Sequence, residues 1–73
     1  MVSGSTPDET FRATLRARNP AGEFATVIVT RQGLGRAGRV WLTFEGAIKT
    51  TAVMTDPETE QLVELLGKAV AGR

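Results

Sequence analysis

The sequence contains no histidine, no cysteine and no tyrosine. Without cysteine no disulfide can form. Without cysteine or histidine the usual zinc ligands are missing, and so are the commonest general base and a principal covalent nucleophile. No apolar run approaches the roughly 18 residues needed to cross a bilayer. The first nine residues, Met1 to Glu9, have neither the basic start nor the apolar centre of a signal peptide. These absences lead to the expectation of a small cytoplasmic protein that is not an enzyme and uses no metal and no cofactor. Aromatic residues are scarce, with one tryptophan, Trp41, and three phenylalanines. Lysine is scarce too, because arginine outnumbers it seven to two, a bias typical of GC-rich bacterial genomes.

What remains is an ordinary globular composition, 41% hydrophobic and 23% charged over 73 residues and 7.8 kDa. One small domain is the limit at this length. Such a chain hides only about 60% of its unfolded surface on folding, which makes self-association, most simply a homodimer, an expectation from size alone.

Residues 1–9 are small, polar and proline-containing, and read as a disordered tail; residues 10–73 read as a single domain. Between Thr10 and Thr55, Val, Ile, Thr and Phe cluster in short runs separated by Gly and Pro, the pattern of strands and turns. Four strands are predicted at Thr10–Arg18, Phe24–Arg31, Arg39–Glu45 and Ile48–Thr55. Asp56-Pro57-Glu58 then opens a helix, either with Asp56 as cap or with Thr55 and Glu58 as a capping box. Leu62, Leu65, Leu66 and Ala69 recur at helical spacing, and Gly72 ends the run. The predicted fold is α+β: a four-stranded antiparallel meander followed by one C-terminal helix packed on one sheet face, in the order ββββα.

Turn lengths set which side chains share a face. A three-residue loop at Glu45–Ala47 keeps Lys49 off the core side. A four-residue loop at Asn19–Gly22 would pair Arg18 with Glu23 and Ala17 with Phe24. The helix would then cover Phe11, Leu15, Phe24, Ile28, Val40, Leu42, Phe44, Ile48 and Met54. The uncovered face would centre on Val27, Val29, Trp41 and Val53, rimmed by Arg12, Arg16, Arg18, Arg39 and Lys49.

Gly33-Leu34-Gly35-Arg36-Ala37-Gly38 matches G-x-G-x-x-G. Dinucleotide binding needs a helix after that loop, so that the pyrophosphate meets its N-terminus. Here a strand follows, and the pattern reads as a glycine-rich hairpin loop.

Charge is divided unevenly. Residues 10–54 carry seven basic and two acidic side chains, whereas residues 55–73 carry two basic and four acidic ones. A basic sheet with an exposed tryptophan suits single-stranded nucleic acid, because arginines neutralise phosphates and an indole stacks on bases. The residues assigned to that role are Arg12, Arg16, Arg36, Arg39, Trp41 and Lys49. The second reading is a protein-interaction module, or a dimer interface, using an apolar patch of Val27, Val29, Trp41 and Val53 rimmed by charge. Solvated arginines and threonines that only keep an open sheet soluble are the plainer alternative.

Overall fold

In the computed structural model, which describes residues 9–72, four strands form one antiparallel sheet in chain order and a helix follows. The strands are β1 (Glu9–Arg18), β2 (Phe24–Gln32), β3 (Arg39–Glu45) and β4 (Lys49–Met54). The helix, α1, spans Asp56–Ala71, and a short 3-10 turn at Gly35–Ala37 interrupts the β2–β3 loop. The architecture is α+β, as the pattern of residues predicts. Glu9 begins β1 instead of ending a tail, and residues 1–8 lie outside the described residues.

The β1–β2 turn departs from the expected loop by one residue, with large consequences. The Gly22 N–H donates to the Asn19 carbonyl and the Asn19 N–H to the Glu23 carbonyl. The side chain of Asn19 reinforces the closure by accepting from the Glu23 N–H at 2.9 Å. Asn19 therefore stands opposite Glu23 around a three-residue loop, with Gly22 at φ 86°, a conformation that costs glycine little. Arg18 pairs with Phe24 and Ala17 with Ala25. A one-residue slip turns every β2 side chain to the other face. Val27 and Val29 thus lie on the helix side of the sheet, and Phe24 and Ile28 lie on the open side.

The β3–β4 turn also begins one residue later than expected, at Gly46, so that Glu45 pairs with Lys49 and Phe44 with Thr50. Here the loop length is as expected and the pairing moves by two, so β3 and β4 keep their faces. Ile48 leaves the strand and joins the loop.

The helix-side face reads in rows across the sheet as Phe11–Arg31–Val40–Met54, Ala13–Val29–Leu42–Ala52 and Leu15–Val27–Phe44–Thr50. Two devices fasten α1 there. Thr55, not Asp56, is the N-cap: its hydroxyl accepts from the Glu58 N–H, and the Glu58 carboxylate accepts from the Thr55 N–H at 2.9 Å. Asp56 is thereby free to take a two-pronged bond from Arg31, at 2.6 and 3.2 Å, which ties the helix start to the end of β2. The glycine loop makes room for this fork. A Cβ on Gly38 would stand 2.6 Å from Arg31 Nη2 and 3.1 Å from the Gly33 carbonyl oxygen. The G-x-G-x-x-G spacing thus serves a hairpin and an ion pair, and β3 follows it directly.

Packing beyond these anchors is sparse. Only β3 and β4 come within 8 Å of α1, Cα to Cα. Among the described residues no hydrophobic side chain is fully buried, and Leu15 remains 65% exposed. The radius of gyration, 14.1 Å, exceeds the roughly 11 Å of a compact domain of this length.

Candidate nucleic-acid interface

Strand alternation places the second set of side chains on the face away from α1. Its rows are Arg12–Thr30–Trp41–Val53, Thr14–Ile28–Thr43–Thr51, Arg16–Thr26–Glu45–Lys49 and, at the turn, Arg18–Phe24. Five threonines occupy its middle. Thr43 and Thr51 share a hydroxyl–hydroxyl bond of 3.1 Å across β3 and β4, and Thr30, between Arg12 and Trp41, is buried. β-branched threonine suits the pleated surface and leaves hydroxyls available as donors and acceptors.

Trp41 and Phe24 lie at opposite ends of this face, six residues apart along the strands, or about 20 Å. Trp41 is 36% exposed and Phe24 is 59% exposed. The guanidinium groups of Arg18 and Arg16 sit 4.2 and 4.9 Å from the Phe24 ring centroid, a cation–π arrangement that holds two positive charges over an aromatic plane. Arg18 also donates to the Gly22 carbonyl at 2.7 Å, which fixes its head group at the turn.

The basic side chains differ in what they are committed to. Arg12 forms a fork with Glu9 at 2.9 and 3.0 Å, and that hydrogen bond holds the Glu9 carboxyl below the ordinary carboxylate range. Lys49 lies 3.3 Å from Glu45. Arg16 and Arg18 have no carboxylate partner among the described residues. The Phe24 end thus holds two arginines unmatched by acids, whereas at the Trp41 end Arg12 is held by Glu9 and Arg39 by backbone carbonyls.

No match to this chain is found among protein-family models, curated proteins or solved structures.

Of the residues assigned to nucleic acid from the sequence, Arg12, Arg16, Trp41 and Lys49 come together on the open face. Arg39 stands at its edge, but its guanidinium turns back to the carbonyls of Arg36 and Gly38 at 2.8 Å. Arg36 lies in the 3-10 turn, beside the start of α1 rather than on the open face. The apolar patch must be corrected. Val27 and Val29 face α1, so they cannot join Trp41 and Val53; Ile28 takes their place beside those two. Phe24 enters the open face by the same slip, doubling its aromatic residues. Its signal was the pairing capacity of Asn19, whose side chain and backbone together close the turn one residue tighter.

Among the described residues no group of acidic side chains could hold a metal ion, and no helix is long and apolar enough to cross a membrane.

Proposed function

We propose that the open face of the sheet binds single-stranded nucleic acid, and that the protein is a non-enzymatic, cytoplasmic binding protein associated with nucleic acid or its regulation. The observation that carries this reading is the presence on one uncovered face of two exposed aromatic rings, Trp41 and Phe24, and of two arginines, Arg16 and Arg18, that sit over Phe24 and lack acidic partners among the described residues. Trp41 offers a stacking plane for a base, worth about 1–3 kcal/mol, and the Phe24 ring holds the Arg16 and Arg18 guanidiniums, whose planes can stack on a second base. Arg16 and Arg18 supply phosphate contacts at the turn, and Arg12 and Lys49 add to them when the strand displaces Glu9 and Glu45. The threonine rows between them offer hydroxyls to sugar and phosphate oxygens.

Trp41 is the single tryptophan, and there is no tyrosine, so fluorescence reports on this face alone. Titration with an oligothymidylate of about 15 nucleotides, long enough for one such site, should quench Trp41. The affinity should fall with salt along a slope of about −0.7 per phosphate neutralised. An absence of any signal change at about 20 mM salt, where screening is weakest, would overturn the proposal. Equal or tighter binding of duplex would remove the stacking role. A protein that competes for the same Trp41 signal would favour instead an interaction module built on Ile28, Trp41 and Val53.

A further inference from the structure

The helix side of the sheet poses a separate question, independent of what the open face binds. Helix α1 has a broad apolar stripe made by Leu62, Val63, Leu65, Leu66, Ala69 and Val70. Thr59 and Leu62 are the best-covered positions of the helix, and every position from Val63 to Gly72 is exposed, Leu65 by 52% and Leu66 by 57%. Between helix and sheet lies a gap of about 280 Å³ whose walls include Leu15, Val29, Leu42, Leu62 and Leu66. Water gains almost nothing against such aliphatic walls. At the turn end of the same face a second hollow, of about 380 Å³, is floored by Ala17, Ala25 and Val27 and walled by Phe44 and Ile48. No helix residue lines it.

We infer that a second copy of this chain covers this face, so that the protein is an obligate homodimer with both helices enclosed between two sheets and both open faces turned outward. Three observations select a second copy as the occupant. The first is complementarity within one sequence: the chain has a helix half without a floor and a sheet floor without a helix. Each copy therefore supplies what the other lacks, as a two-fold interface requires. The second is that the described residues contain no fully buried hydrophobic side chain. The cover must accompany folding itself, and another copy is the one partner always present with the chain. The third is area. Phe11, Leu15, Phe44, Val63, Leu66 and Val70, each about half exposed, amount to roughly 600 Å² per copy. Two copies then remove roughly 1,200 Å², at the threshold of a stable specific interface, before the alanines are added.

Sedimentation of the native chain over a concentration range of about 1–100 μM, together with urea unfolding at both ends, tests the assembly. The expected mass is twice 7.8 kDa, with an unfolding midpoint that rises with protein concentration. A single-copy mass, whether the chain is folded or loosely packed, overturns the inference. So does a midpoint independent of concentration. Two variants locate the interface. Leu66→Glu should abolish the double mass, whereas Val53→Glu, on the open face, should preserve it. The opposite result would put the dimer on the open face and overturn the arrangement. If Leu66→Glu does not fold at all, the concentration dependence of the native chain still decides. All of these measurements are made without nucleic acid, so their failure is separate from failure of the proposed function.

Discussion

The two faces of one four-stranded sheet differ in kind although their residues alternate along the same strands. The helix side carries aliphatic and small residues with two phenylalanines, Phe11 and Phe44, and its charged member, Arg31, is consumed by Asp56. The open side carries threonines, two aromatic rings and five basic residues, Arg12, Arg16, Arg18, Arg39 and Lys49, against two acids, Glu9 and Glu45. The first surface lowers its free energy by leaving water. The second stays wet and offers charge. In the functions proposed above, one side of the sheet serves assembly and the other a ligand.

The sharpest way to break this comparison is to put the same charge on neighbouring residues of one strand. Leu42→Asp places a carboxylate on the aliphatic side and should cost about 3 kcal/mol or more, enough to unfold so small a domain. Thr43→Asp, one residue away, faces outward; it should change stability by no more than about 1 kcal/mol while weakening oligonucleotide binding. Urea unfolding followed by circular dichroism measures both, and comparable losses from the two would remove the distinction.

A smaller effect is expected from the ligand side alone. Trp41→Ala should weaken single-strand binding by roughly 5- to 150-fold, the equivalent of one lost stacking contact. Replacing Arg16 and Arg18 together by alanine should flatten the salt dependence by about 1.4 log units per log unit of salt. Fluorescence anisotropy of a labelled oligonucleotide reads both variants, since one lacks the intrinsic reporter.

Gly38→Ala tests the anchor that separates the faces. Its Cβ would displace the Arg31 guanidinium and press on the Gly33 carbonyl. The expected loss is about 1 kcal/mol, or about 4–8 °C in Tm. An unchanged melting temperature would show that the Arg31–Asp56 fork contributes nothing to holding the helix.

Acid should have the mildest effect. The Arg31 hydrogen bond holds Asp56 below its ordinary value of 3.8, and the Thr55 backbone N–H holds Glu58 below 4.5. The native state therefore binds fewer protons than the unfolded chain in this range. The contribution of both groups is complete above those ordinary values and is lost as pH falls through the lowered ones. Both carboxylates are exposed, so the effect should shrink with salt. Melts at pH 6 and below about pH 3, with and without added salt, check the sign.

Much of this fold can be read along the chain. Alternation in Phe11–Ala17 and Val40–Phe44, the helical spacing of Leu62, Leu66 and Ala69, and the Thr55/Glu58 pair each point to one conformation through local sterics and hydrogen bonding. The face of β2 is different. Phe24-Ala25-Thr26-Val27-Ile28-Val29 is apolar at both odd and even positions, so hydrophobicity does not choose between its two sides. The choice fell to the turn, where Asn19 meets Glu23 and Gly22 takes a positive φ. That single pairing moved Val27 and Val29 to the helix side and Phe24 and Ile28 to the open one. It also enlarged the candidate ligand surface from one aromatic ring to two.

Composition and local pattern were sufficient for the element order, the division between a basic sheet and an acidic helix, and the outward position of Trp41 and Lys49. These depend on spacing within a strand or a helix, which the backbone repeats enforce. The side to which β2 points, the fate of Arg31 and the looseness between helix and sheet depend on residues brought together from distant segments. Arg31 and Asp56 are 25 residues apart, and no local periodicity links them. Their meeting, with the one-residue closure at Asn19, is a property of the tertiary structure: it emerges only when strands pair and a helix returns across them.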